Sequence, residues 1–166
     1  MADAALVAIA TELGSALKSR SWTLALAESC TGGWAAQVVT AIPGSSAWFD
    51  RGFVTYSNEA KIEMLGVATE TLAQFGAVSE QTACTMAQGA LNSSRANITA
   101  AITGIAGPDG GLPDKPVGTV WFAWTEKNGL LRSEIHHFSG DRESVRKQSV
   151  ETALRGVIKL TLSPDL

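Results

Sequence analysis

The sequence predicts an α/β fold: a three-layer α/β/α sandwich with a mixed, mostly parallel sheet that ends in an antiparallel hairpin. Three observations carry the prediction. Helical and strand periodicities alternate along most of the chain. The pair Asn128-Gly129 marks a tight hairpin late in it. The apolar fraction is 45% of 166 residues, enough for one core at this size. A single domain over residues 1–166 is the expectation.

Residues 3–20 place Leu6, Ile9, Ala10, Leu13 and Leu17 at helical spacing, giving an amphipathic first helix. Residues 23–27 read as a short buried strand that runs into Glu28-Ser29-Cys30-Thr31-Gly32-Gly33. A helix over 34–41 stops at Ile42-Pro43-Gly44, and 49–56 form the next strand. Asn58 is a good cap for a helix over 58–65, and two more helices follow over 69–76 and 80–95. Residues 98–105 form a strand that enters a loop rich in glycine and proline over 106–116. Residues 117–125 carry apolar side chains in both alternating rows, as in a strand covered on both faces. The returning strand, 130–138, puts Arg132, Glu134 and His136 on one face. The last helix starts after Ser139-Gly140-Asp141 and reaches about Leu162.

Composition and motifs exclude several classes. A net charge of −3 with no basic run speaks against a nucleic-acid partner. No stretch approaches the ~20 apolar residues of a membrane helix. The N-terminus lacks the pattern of a signal peptide, so the cytoplasm is the expected compartment. The P-loop, the dinucleotide fingerprint and the G-x-S-x-G elbow are all absent. The two histidines, His136 and His137, are neighbours on a strand and point to opposite faces, so we expect neither a metal nor a cofactor. Cys30 precedes a helix that would favour its thiolate, yet it has no histidine partner and reads as a small buried residue.

Ligands in open α/β sheets bind beyond the carboxyl ends of strands. Four such ends here are rich in small and hydroxylated residues: 28–33, 56–58, 103–111 and 138–142. The chemistry left after elimination is serine with a lysine base. Lys61, placed in the first turn of its helix, faces the positive end of the helix dipole, which disfavours the ammonium. A neutral amine is what a Ser/Lys dyad requires. The serine could be Ser29 or one in the turn Gly44-Ser45-Ser46-Ala47, where it could equally cap a helix beginning at Trp48; spacing does not choose. Arg142, beside Gly140 at the start of the last helix, fits an anion site.

The segments AESCTGG (27–33), PGSSAWFDRGFVTYSNEAK (43–61), GAVSE (76–80), TGIAGPDGG (103–111), KPVGTVW (115–121) and FSGDR (138–142) together resemble the CinA C-terminal domain family, in order and over nearly the whole chain. The resemblance, which is to the stand-alone bacterial form of the family, implies metal-independent hydrolysis of nicotinamide mononucleotide to nicotinate mononucleotide and ammonia, in pyridine-nucleotide recycling. By that resemblance Ser46 is the nucleophile, Lys61 its base, and Tyr56, Ser29 and Thr103 assist or line the pocket. Arg142 matches a basic position suited to the substrate phosphate. The oxyanion would be held by backbone amides from one of two glycine loops, Thr31-Gly32-Gly33 or Gly104 to Gly107. A homo-oligomer is implied as well. The alternatives are a non-catalytic partner-binding role linked to competence and DNA damage, or an amidase of different substrate.

Overall fold

The structure, a computed structural model, describes residues 3–163, so both ends of the expected 1–166 domain lie outside the described residues. Helix α1 (Ala4–Ser19) is capped by the Asp3 carboxylate, which accepts hydrogen bonds from the amides of Ala5 and Leu6. It is followed by β1 (Leu24–Glu28), α2 (Trp34–Thr40), a 3₁₀ turn at Ser45–Ala47 and β2 (Phe49–Val54). Three helices come next: α3 (Asn58–Leu65), α4 (Thr69–Phe75) and α5 (Glu80–Asn92). Then come β3 (Ile98–Gly104), the hairpin β4 (Thr119–Glu126) and β5 (Leu131–His137), and α6 (Arg142–Leu162).

The sheet order is β2-β1-β3-β4-β5. β1 pairs parallel with both β2 and β3, while β4 pairs antiparallel with β3 and β5. Four strands therefore point one way and β4 alone is reversed, the mixed sheet that the element order predicts. The hairpin turns where Asn128-Gly129 placed it, with Gly129 at φ +96°.

The two faces of the sheet are packed differently. One buries large side chains, with Leu24, Leu26, Ile98, Ile102, Phe122 and Trp124 meeting α1, α2 and α6. The other is lined by Ala27, Ala101 and Ala123, against which α5 lays Ala83, Met86, Ala87 and Ala90. Small residues let α5 lie close enough for the buried Thr99 hydroxyl to donate to the Ala87 carbonyl at 2.8 Å.

Several local expectations are corrected. The cap of α3 is Ser57, whose Oγ accepts from the Ala60 amide at 3.0 Å, and Asn58 is its first helical residue. The 43–48 segment closes as a 3₁₀ turn that ends at Trp48; no helix begins there. β4 starts at Thr119, two residues later than expected, because Gly118 lies at φ +95°, a left-handed turn where a Cβ would run into the Phe138 carbonyl. Among the described residues, no helix is long and apolar enough to cross a membrane.

Candidate active site

β1, β2 and β3 run parallel, so their carboxyl ends open on one edge of the sheet. A cleft of about 300 Å³ lies there, walled by Ser29 and Cys30 after β1, Tyr56 and Lys61 after β2, Thr103 to Gly107 at and beyond the end of β3, and Arg142 at the start of α6. This is where the topology of an open α/β sheet puts a ligand.

Lys61 is the chemical centre of the cleft. Its side chain is 1% exposed, and burial pushes its pKa below the ordinary lysine value of 10.5. The cause is desolvation by burial. Nζ lies 2.8 Å from Ser29 Oγ, 2.8 Å from the Thr55 carbonyl and 3.2 Å from the Tyr56 carbonyl. A neutral amine has two hydrogens and one lone pair. In that form the two carbonyls would take the hydrogens and the lone pair would face the serine hydroxyl, reversing the bond in which the ammonium donates to Ser29 Oγ. Buried surroundings that favour the neutral amine, together with this donor count, suit Lys61 to accept the Ser29 proton.

Ser29 directly follows β1, a strand interior to the sheet, and is 8% exposed with its amide bonded to the Ile102 carbonyl at 3.0 Å. Ser46 is placed elsewhere. It is exposed in the 3₁₀ turn that precedes β2, whereas Lys61 follows that strand. The six residues of β2 separate the two, about 20 Å of extended chain. Ser46 and Lys61 thus flank opposite ends of the sheet, and the structure does not bring them together.

Thr31, Gly32 and Gly33 do not line this cleft either. They border a separate concavity of about 370 Å³ with Trp34, Gln37, Glu143 and Arg146. The turn carries them away because Gly32 and Gly33 both adopt left-handed backbone, at φ +60° and +100°. The Thr31 hydroxyl is buried and donates to Glu28 at 2.7 Å. The second glycine loop does reach the cleft. Gly104 sits where a Cβ would meet Val120 at 2.7 Å and the Thr119 carbonyl at 2.9 Å, so only glycine fits there. The amides of Ala106 and Gly107 donate to no protein group among the described residues.

The remaining candidates are in the cleft with their polar groups engaged. Thr103, 1% exposed, donates to the Ala77 carbonyl at 2.8 Å and so ties the loop after α4 to β3. Arg142 donates to the Gly107 carbonyl at 2.7 Å and to the Tyr56 hydroxyl at 3.2 Å. Tyr56, 62% exposed, thereby forms a bridge with Arg142 over one side of the opening. Asn58 and Asp109, which fall in the predicted strand-end segments without having been given a role of their own in the site, complete the polar lining.

Cys30 also borders the cleft, but burial pushes its thiol up to about 11, so it stays protonated near neutrality and is a poor nucleophile. His136 stacks on Phe138 and pairs with Glu134 at 3.0 Å, and His137 meets the Thr119 hydroxyl at 3.3 Å. Both are residues of β5, and neither lines the cleft. Among the described residues, no three His, Cys, Asp or Glu side chains gather in a way that could hold a metal ion.

Sequence reasoning also missed Glu28 and Arg146. Glu28 is 1% exposed, and besides Thr31 its carboxylate accepts from the amides of Ala35 and Ala36 at 2.9 and 3.0 Å, serving α2 whose cap, Gly33, has no side chain. A carboxylate closing an otherwise apolar strand, TLALAE, was the available signal.

The cleft thus sets a buried lysine against a serine at the parallel edge of a mixed sheet, a ligand site of the open α/β kind. Residues 6–161 match the CinA C-terminal domain, and the chain belongs to that family. It is 56% identical over 155 residues to the nicotinamide-nucleotide amidohydrolase PncC of Escherichia coli (strain K12), covering 93% of this chain and 94% of that protein. It is 53% identical to the protein of the same name from Enterobacter agglomerans, over 96% of this chain and 99% of the other. The crystal structure of the competence/damage inducible protein CihA from Agrobacterium tumefaciens superposes with a TM-score of 0.93 at 46% identity, covering 96% of this chain and 98% of that one.

Proposed function

We propose that the protein hydrolyses the carboxamide of nicotinamide mononucleotide to nicotinate mononucleotide and ammonia, with Ser29 as nucleophile and Lys61 as its base. The observation that carries this reading is the 2.8 Å contact between the buried Lys61 amine and Ser29. The names of the amidohydrolase relatives supply the substrate.

Ser29 attacks the carboxamide carbon while neutral Lys61 accepts its proton. The amides of Ala106 and Gly107 hold the oxyanion that develops. Lys61 then hands its proton to the leaving nitrogen, and ammonia departs from the nicotinoyl ester of Ser29. Water attacks the ester while Lys61 takes its proton, and Lys61 passes that proton to the Ser29 oxygen as nicotinate mononucleotide leaves. Arg142 meets the substrate phosphate at the mouth of the cleft, where a guanidinium pairs with phosphate oxygens in two parallel hydrogen bonds. Tyr56 orients that guanidinium. The same reading places the protein in the cytoplasm, as a homo-oligomer.

Ammonia release from nicotinamide mononucleotide in the presence of a chelator tests the reading. Sustained turnover that vanishes in Ser29→Ala and persists in Ser46→Ala is expected. Retention of near-full activity by Ser29→Ala would overturn the nucleophile assignment, and loss of activity on chelation would overturn the metal-free mechanism.

A further inference from the structure

We infer that Arg146 and Glu28 form a clamp that fixes the turn carrying Ser29, and that they are positioning residues for its attack. The inference rests on Ser29 being the nucleophile. Ser29 begins a turn of five residues between β1 and α2, two of them glycines in left-handed backbone, a composition with little stiffness of its own. Yet each of the first three carbonyls of that turn is bound. The Ser29 carbonyl accepts from the Gly32 amide at 3.0 Å. The Cys30 carbonyl accepts from Arg146 Nε at 3.0 Å, and the Thr31 carbonyl from Arg146 Nη2, also at 3.0 Å.

Arg146 belongs to α6, more than a hundred residues away in sequence. Its planar fork offers two parallel N–H groups to two successive carbonyls, a geometry that the single ammonium of lysine does not reproduce. The buried Glu28 carboxylate in turn takes the Thr31 hydroxyl and the Ala35 and Ala36 amides. The turn is thus held by an acid within and a base without, and neither group touches the cleft where Lys61 meets Ser29: Glu28 and Arg146 are both absent from its walls. What they share is the backbone on which Ser29 is mounted. A nucleophile displaced by about 1 Å loses on the order of 100-fold in rate.

The test is the rate constant at which Ser29 is sulfonylated by phenylmethylsulfonyl fluoride, followed by intact mass, beside steady-state kinetics on nicotinamide mononucleotide. The proteins are the wild type, Arg146→Lys, Arg146→Gln and Glu28→Gln. Glu28→Gln turns an amide donor toward a backbone donor and so breaks one contact. A loss of folded protein lowers the amplitude of labelling but leaves its rate constant unchanged, so a purely structural role does not move this readout. The expected result is a rate constant and a kcat on the order of 100-fold lower in Arg146→Gln, with KM within about twofold and no rescue by Arg146→Lys. Wild-type rate constants in both Arg146 variants would overturn the clamp while leaving the hydrolase reading intact. No labelling of wild-type Ser29 would overturn the nucleophile assignment and the clamp with it.

Discussion

The two ends of β2 make an instructive contrast. Before the strand lies a serine-rich turn, Ser45–Ala47, whose Ser46 is open to solvent. After it comes Lys61, 1% exposed and bound to three oxygens. Fifteen positions part Ser46 from Lys61 in sequence and 32 part Ser29 from Lys61, yet the distant serine is the one in contact. Parallel pairing of β1 with β2 is the reason: it brings the end of one strand beside the end of the next and sends a strand's own beginning to the far side of the sheet. Nearness along a chain that passes through a strand is therefore a poor guide to nearness in a site.

Four experiments would break or sharpen that contrast. The largest effect belongs to the carboxyl end: Ser29→Ala and Lys61→Met should each cost about 10⁴-fold in turnover, and their double variant no more than either alone, because the two act as a unit. Ser46→Ala should stay within about twofold. Equal losses at Ser29 and Ser46 in an ammonia assay would abolish the distinction between the ends.

The second effect is on pH. Because burial lowers the pKa of Lys61, kcat/KM should climb as the pH rises through that lowered value and level off short of the ordinary lysine range near 10.5. Stability should respond in the same direction. Between the folded and unfolded pKa values the unfolded chain binds the extra proton, so raising the pH through that window stabilises the fold. Lys61→Met should lack this rise in chemical denaturation measured across alkaline pH. Its persistence in the variant would assign the rise to another group.

The third concerns Cys30, held as a thiol by burial that pushes it up to about 11. Cys30→Ala should keep turnover within roughly tenfold, since it removes packing and leaves the dyad intact. Iodoacetamide at neutral pH should leave Cys30 unmodified in the folded protein, read by peptide mass. Rapid alkylation with loss of activity would point to a thiol nucleophile instead.

The smallest effect is at the amino end of β2. Asp50 is held below the usual carboxylate range, first by the Arg95 amide that it accepts at 2.9 Å and also by Arg51. The stability it contributes is present above about pH 4 and lost as the pH falls through its lowered pKa. Asp50→Asn should cost about 0.5–1 kcal/mol in urea titrations at neutral pH, with kcat unchanged. A change in kcat would mean that the two ends communicate.

Much of the fold was legible because its signals are local. Leu6, Ile9, Leu13 and Leu17 mark the buried stripe of α1, and Asn128-Gly129 marks the hairpin. The apolar rows of β4 follow from its place between two other strands with helices on both faces. Tyr56, Thr103, Gly107 and Arg142 lie in strand-end segments where such sheets gather ligands, Lys61 could be nominated as a base in the first turn of its helix, and all of them line the cleft. Lost were the facts that depend on direction in space. Thr31, Gly32 and Gly33 adjoin Ser29 in sequence, yet two left-handed residues turn them toward a different concavity. Arg146 repeats the spacing of Arg142 one helical turn later, and nothing in that periodicity says that it grips the carbonyls of Cys30 and Thr31.

The three oxygens around Lys61 behave differently once the amine gains a proton. An ammonium carries three hydrogens, and the cage offers three acceptors: the Thr55 and Tyr56 carbonyls and Ser29 Oγ. The third hydrogen would then point at the serine oxygen, taking one of its two lone pairs and leaving its own proton without an acceptor at Nζ. Acid thus does more than remove a base: it converts the same three contacts from a trigger into a safety catch, locking the nucleophile with the group that otherwise releases it.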